Sequence, residues 1–259
     1  MNAFKLNVIE FPRAAPKLVL LHGLGGTHRY WQTGLEELKS KFHVILIDLL
    51  GFGESEKPWV NYTKSLHLAA LKEHLACYDR FYLVGHSLGA ILSIAYCAKS
   101  SEKCLGLFLI STPFFSGKNQ AFRWLRRTPT GWLMTNMVTA IITCLVTRRV
   151  AGRFLPRLLK DFPTAVAEDL VKHTFMSSTT SLWQVVYHSN ILFDLDKISQ
   201  KIPCVWIHAI DDDTAPYETI KKLTTGRANC KLITLEYSAH HPWLWNNNAC
   251  LSIIDDAIQ

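Results

Sequence analysis

Ser87 stands in Val84-Gly85-His86-Ser87-Leu88-Gly89, between the apolar run Phe81-Tyr82-Leu83-Val84 and a second apolar stretch over residues 90–98. The first run is short, aromatic and branched, and predicts a buried strand; the second has small and straight-chain residues suited to a helix. Gly-x-Ser-x-Gly at such a junction is a nucleophile elbow. The turn is tight enough to put Ser87 in a strained backbone, and Gly85 and Gly89 remove Cβ atoms that would collide there. The strain lifts the hydroxyl clear of the sheet, over a helix start whose N–H groups can face a developing oxyanion. The bland rival is a serine that merely caps the following helix.

A serine hydroxyl needs a base to take its proton and a third group to orient that base. In a sheet protein these partners belong on loops after later strands. One such loop reads Ala209-Ile210-Asp211-Asp212-Asp213-Thr214-Ala215-Pro216, and a later one reads Tyr237-Ser238-Ala239-His240-His241-Pro242. Asp211, Asp212 and Asp213 are all candidates for the acid, and His240 and His241 for the base. Those not used would be solvated loop carboxylates, caps, or a ring turned elsewhere. His22 and His86 flank the site and are expected to pack and hydrogen-bond beneath it. The other histidines have no metal-ligand spacing, and Asp48 with its following glycines reads as a turn.

The elements that must position these residues alternate. Strands are expected at residues 4–9, 17–22, 43–48, 81–84, 105–110, 204–208 and 231–236. Helices are expected at 30–39, 63–77 and 90–98, from Pro216 and from Trp243. This alternation implies βαβ units and a mostly parallel sheet. Between Pro113 and about residue 190 there are helical stretches but no convincing strand, which predicts a helical insertion over the C-terminal edge of the sheet. Gly23-x-Gly25 after a strand, with Asp48 ending the next, also suggests a dinucleotide fingerprint. His28 stands where the third glycine is needed, and nothing in such a unit calls for Ser87.

The 259 residues, 49% hydrophobic and 19% charged, suit one folded domain rather than a disordered chain. No secretory pattern is read in residues 1–16. Seven cysteines, at 77, 97, 104, 144, 204, 230 and 250, form no Cys-x-x-Cys and mostly lie in apolar runs, so reduced thiols and a cytoplasmic setting are expected. The net charge of +7 is unevenly placed. Lys118, Arg123, Arg126, Arg127, Arg148, Arg149, Arg153, Arg157 and Lys160 fall in residues 118–160 with no Asp or Glu, leaving the remainder slightly negative. Such asymmetry concerns partners rather than fold.

The chain resembles the α/β-hydrolase superfamily, in its small serine esterase branch. His22-Gly23-Leu24-Gly25-Gly26 is similar to the family's His-Gly-x-Gly-Gly oxyanion loop, Asp48-x-x-Gly51-Phe52-Gly53-x-Ser55 to its strand-end turn, and Gly85-His86-Ser87-Leu88-Gly89 to its elbow. The likeness covers roughly residues 17–112 and 191–250. It implies an α/β-hydrolase fold with a helical cap inserted after the sixth strand, and an organisation of core (1–112), cap (113–190) and core (191–259). Carried over, Ser87 is the nucleophile, Asp212 the acid four positions before Pro216, and His240 the base in a variant of Gly-His-x-Pro. Alanines 209 and 239 replace the family's glycines. The backbone N–H groups of Leu24 and Leu88, with Gly23 beside them, would make the oxyanion site. No cofactor or metal is expected.

Residues 128–147 carry no charge, which by length suggests a membrane span. The four-residue spacing of Thr135, Thr139, Thr143 and Thr147 instead draws a polar stripe, with Trp132, Leu133, Met137 and Ile141 expected to roof the pocket. The flanking Arg123, Arg126, Arg127, Arg148, Arg149 and Arg153 fit three partners: an anionic membrane surface, an anionic substrate, or an acidic acyl carrier protein. The last is similar to the basic cap of pimeloyl-carrier-protein methyl ester esterases. A nucleic-acid partner is not expected, and a monomer is favoured. The expected reaction is hydrolysis of a carboxylic ester or thioester through an acyl-enzyme. The rivals are carbon–carbon bond hydrolysis with the same triad and a non-catalytic ligand receptor on a hydrolase fold. Dehalogenase or epoxide hydrolase chemistry would need an aspartate at position 87.

Overall fold

The computed structural model describes residues 4–152 and 154–258. Seven strands form one sheet in the order β1-β3-β2-β4-β5-β6-β7. They are β1 (Val8–Phe11), β2 (Lys17–Leu21), β3 (His43–Ile47), β4 (Phe81–His86), β5 (Cys104–Ile110), β6 (Cys204–Ala209) and β7 (Cys230–Leu235). Among the described strands only β1 runs antiparallel, against β3; the other pairings of the sheet are parallel. Their apolar runs are continuous because both faces are covered. In β2 and β3, Val19, Leu21, Ile45 and Ile47 enter one apolar cluster and Leu18, Leu20, Val44 and Leu46 the other, as a period of two requires.

Around the sheet lie α1 (Leu35–Lys41), α2 (Lys64–His74), α3 (Leu88–Cys97), α11 (Tyr217–Thr224), α12 (Pro242–Trp245) and α13 (Asn247–Ile258). Between β5 and β6 come α4 (Lys118–Leu125), α5 (Pro129–Leu133), α6 (Met137–Val146), α7 (Leu155–Leu158), α8 (Thr164–Asp169), α9 (Phe175–Ser181) and α10 (Ile191–Leu195). This helical insertion therefore follows β5, the fifth described strand, and not a sixth. One edge strand and four parallel strands are all that the described residues before it supply. The chain leaves β3 at one side of β2 and returns as β4 on the other. The C-terminal end of β4 thus lies at the point where strand order reverses, the place where α/β sheets hold ligands.

Residues 128–147 do not make one helix. Asn136 breaks the stretch, its side chain accepting the Val138 and Thr139 amides as the N-cap of α6. Among the described residues no helix is long and apolar enough to cross a membrane. The expected threonine stripe is also dispersed: Thr135 is buried before α6 and donates to the Trp132 carbonyl, and Thr139 donates to that of Leu133. Trp132 and Met137 are exposed rather than roofing the pocket. Packing against neighbouring helices, not hydropathy within the segment, decided which face turned inward.

Candidate active site

Ser87 sits between β4 and α3 with φ 51° and ψ −113°, a strained conformation for a residue with a Cβ. The two glycines are explained by close approach. A Cβ on Gly89 would lie 2.2 Å from the Leu21 carbonyl oxygen, and one on Gly85 2.6 Å from the Ala90 backbone. The elbow can therefore be this tight only with glycine at both positions. Ser87 N–H donates to the Ile110 carbonyl (2.9 Å), so the turn is pinned to the neighbouring strand.

His240 Nε2 lies 3.0 Å from Ser87 Oγ, and His240 Nδ1 lies 2.9 Å and 3.1 Å from the two carboxyl oxygens of Asp212. Asp212 is buried and its Oδ1 accepts the amides of Thr214 (2.9 Å) and Ala215 (2.8 Å). Burial alone would push its carboxyl up. The adjacent His240 and His208 rings and the Ala215 amide outweigh that and hold it below the usual carboxylate range. Of the rival residues, His241 does not reach Ser87. Its ring sits edge-on to Phe162 at 5.1 Å and lines the pocket, and burial pushes it down to about 3. Asp213 carries its own link, its carbonyl accepting Trp124 Nε1 from α4 (2.7 Å).

Several supports were not legible beforehand. Asp211 Oδ1 accepts the amides of Ser238 and Ala239, tying the turn that carries His240 to the loop that carries Asp212. His208 is fully buried, donates Nε2–H to the Ala215 carbonyl (2.9 Å) and lies 3.5 Å from Asp212. Asn246 donates to Ser238 Oγ and the Glu236 carbonyl. Their signal is only proximity in sequence to the acid and base loops, which says nothing of who bonds whom. His22 and His86 lie beneath the site, as expected. His22 Nδ1–H donates to the Gly23 carbonyl (2.7 Å) while Nε2 accepts the Leu49 amide (2.9 Å); burial keeps the ring neutral by lowering its pKa. His86 stacks on Tyr30 (4.5 Å) and donates Nε2–H to the His240 carbonyl (2.8 Å).

The loop after β2 packs hard against the elbow: a Cβ on Gly23 would lie 3.2 Å from Ser87 Cβ. Gly23 and Leu24 line the cavity beside Ser87, and Leu88, first in α3, has an amide with no intrahelical acceptor. Such amides can hold negative charge developing on a carbonyl oxygen. The cavity, about 650 Å³, is bounded by Ser87 and His240 on one side and mainly by apolar insertion residues, among them Leu125, Met134, Leu159, Phe162 and Val186, on the other. The insertion is anchored beside this loop by Asp169, which accepts Thr27 Oγ1 (2.6 Å) and Arg29 Nη1 (2.8 Å). Asp48 fixes the strand-end turn through the amides of His28 and Glu54.

The arginines expected to face a partner are spread along the insertion. Arg123, Arg126 and Arg127 are exposed on or just after α4, and Arg148 and Arg149 just after α6; Arg153 lies outside the described residues. Two carry packing roles as well: Arg126 lies over Phe122 (5.6 Å) and Arg127 over Trp124 (4.5 Å).

Sheet, elbow and facing loops together define a known architecture, and a sequence model of the alpha/beta hydrolase fold matches residues 16–229. The chain belongs to that family. It is similar to an Arabidopsis thaliana protein described as a 1-acylglycerol-3-phosphate O-acyltransferase, 28% identical over 93% of this chain and 66% of that one. It is also similar to the probable lysophospholipase BODYGUARD 4 of Arabidopsis thaliana, 33% identical over 38% of this chain and 25% of the relative. The matched part thus spans a quarter of the length of that relative and about two thirds of the former. A hydrolase from Pseudomonas aeruginosa PA01 superposes with a TM-score of 0.78 at 21% identity, over 98% of this chain and 94% of the other. The fold is thereby shared.

Proposed function

We propose that the protein is a serine hydrolase of carboxylic esters or thioesters, with residues 113–190 as its cap. The observation that carries the reading is the chain of hydrogen bonds from Ser87 through His240 to Asp212, opening on an apolar cavity. His240 Nε2 takes the proton as Ser87 Oγ attacks the carbonyl carbon. The Leu24 and Leu88 amides hold the oxyanion, and Asp212 keeps Nδ1–H directed and offsets the charge on the ring. Collapse expels the alcohol or thiol, which receives the proton from His240. Water, deprotonated by the same nitrogen, then attacks the acyl-enzyme and releases the acid.

The apolar lining favours an acyl chain, and the cap's arginines favour an anionic leaving group or an acidic acyl carrier protein. Relatives whose names refer to lysophospholipids and acylglycerol phosphates support an acyl ester that carries phosphate. The test is turnover of nitrophenyl esters of graded chain length, with and without acidic carrier protein, by the parent and by Ser87→Ala. Rates should rise with chain length until the cavity is filled and vanish in the variant. Comparable turnover by folded Ser87→Ala would overturn the mechanism.

A further inference from the structure

α6 presents its apolar side to solvent. Ala140 and Cys144 are buried toward the body of the protein, and the opposite face carries Val138, Ile142 and Val146, which are 63%, 53% and 49% exposed. These stand four apart and form a stripe about 12 Å long at 1.5 Å per residue. Trp132 before the stripe and Phe154 and Leu158 after it are more than half exposed as well. An ordinary surface helix reverses this pattern, and clustered exposed apolar residues mark a contact surface.

Cations bracket the stripe. Arg126 Nε donates to Thr135 Oγ1 at 3.0 Å, which fixes a guanidinium beside the turn that starts α6. Arg148 and Arg149 follow its last residue, and both are exposed. Elsewhere Arg29, Lys39, Lys41, Lys64, Lys172 and Arg227 each meet a carboxylate. Among the described residues, no ion pair joins a cation of 118–160 to any acid. Those charges are left for a partner.

We infer that this face docks on an anionic lipid surface, with Val138, Ile142 and Val146 entering the headgroup–acyl boundary and the arginines meeting lipid phosphates. An aliphatic stripe without hydrogen-bonding groups, flanked by arginines that bond only to neutral groups such as Thr135 Oγ1 and the Val171 carbonyl, has the chemistry of an interfacial helix. A soluble anionic substrate would use the charges and leave the stripe in water. The inference deepens the proposed function by naming where an acyl ester would be drawn from. It rests on that reading for its consequence only, because binding is measured without turnover.

The experiment is cosedimentation of full-length Ser87→Ala protein with vesicles of phosphatidylcholine, with and without phosphatidylglycerol. Binding is expected to the mixed vesicles, to weaken without the anionic lipid and to fall as salt rises. Replacing Val138, Ile142 and Val146 together by serine, which keeps the charge, should weaken partition at least about tenfold. Replacing Arg149 by glutamine should weaken it about fivefold. The serine variant in an active background should turn over a small soluble ester as the parent does, which shows that it folds. Absence of binding to mixed vesicles, or equal binding by the serine variant, overturns the proposal. So does retention of an acidic carrier protein at this face while vesicles are ignored. Inactivity of the parent toward every ester, with vesicle binding intact, would instead count against the hydrolase reading alone.

Discussion

Asp211 Oδ1 accepts the backbone N–H of Ala239 at 3.0 Å, one residue before His240. Two adjacent aspartates therefore serve one histidine, Asp212 by holding the His240 ring and Asp211 by holding the backbone that delivers it. Ala239 has φ 44° and Tyr237 φ 53°, so this turn is strained and needs that tether. Asp211→Ala should lower kcat about tenfold with little change in KM, because a slightly misplaced base is costly. Asp213→Ala keeps the carbonyl that accepts Trp124 Nε1 and loses only an exposed bond from the Thr214 hydroxyl, so it should leave kcat near the parent value. Steady-state kinetics on one soluble ester compares them.

Loss of the central groups should be far more severe. Ser87→Ala and His240→Ala are each expected to reduce kcat by ~10⁴-fold or more, and Asp212→Asn by about 10⁴-fold. The double variant of Ser87 and His240 should be no worse than either single one, since the groups act as a unit. Additive losses in that cycle would mean that they act separately.

The Ala239 strain has its own consequence. Glycine adopts φ 44° without a Cβ penalty, so Ala239→Gly should leave activity intact. It should also stabilise the fold by up to about 1 kcal/mol, the relief of strain exceeding the entropy that glycine adds to the unfolded chain. Chemical denaturation of the two proteins measures the difference, and a lower midpoint for the glycine variant would contradict it.

Acid should unfold the protein through its buried histidines. Burial lowers His67 to about 3 and holds His86 well below the usual histidine range. These rings bind fewer protons folded than unfolded, so the stability they permit is complete above the unfolded value of 6.5 and falls as pH drops below it. For His67 the loss is about 1.4 kcal/mol per pH unit down to the folded value. His67→Gln should therefore flatten the dependence of stability on pH between about 6 and 4, read by denaturant melts across that range.

Asp169 joins the insertion to the loop beside Ser87, through Thr27 and Arg29, from a side chain that is 1% exposed. Removing a buried partner strands the others, at about 3 kcal/mol. Asp169→Ala should lower Tm and raise KM for long-chain esters more than it lowers kcat on a short one. An equal change for both substrates would place its effect on the triad instead.

Residues close in the chain were enough to set the sheet, the elbow and the order of the loops that carry Asp212 and His240. Continuous apolar runs have no stable place except between covering layers, and Gly85-His86-Ser87-Leu88-Gly89 encodes a turn that only glycines tolerate. Local rules reach that far because strands and tight turns depend on near neighbours. Which of Asp211, Asp212 and Asp213 met His240 was decided where the loops after β6 and β7 meet: the Thr214 and Ala215 amides of its own loop hold Asp212, and Asp211 turns to the Ser238 and Ala239 amides of the other. The outward turn of Val138, Ile142 and Val146 was likewise tertiary. A helix apolar on most sides does not specify which face its neighbours will cover, and packing of α6 through Ala140 and Cys144 left the branched face in solvent.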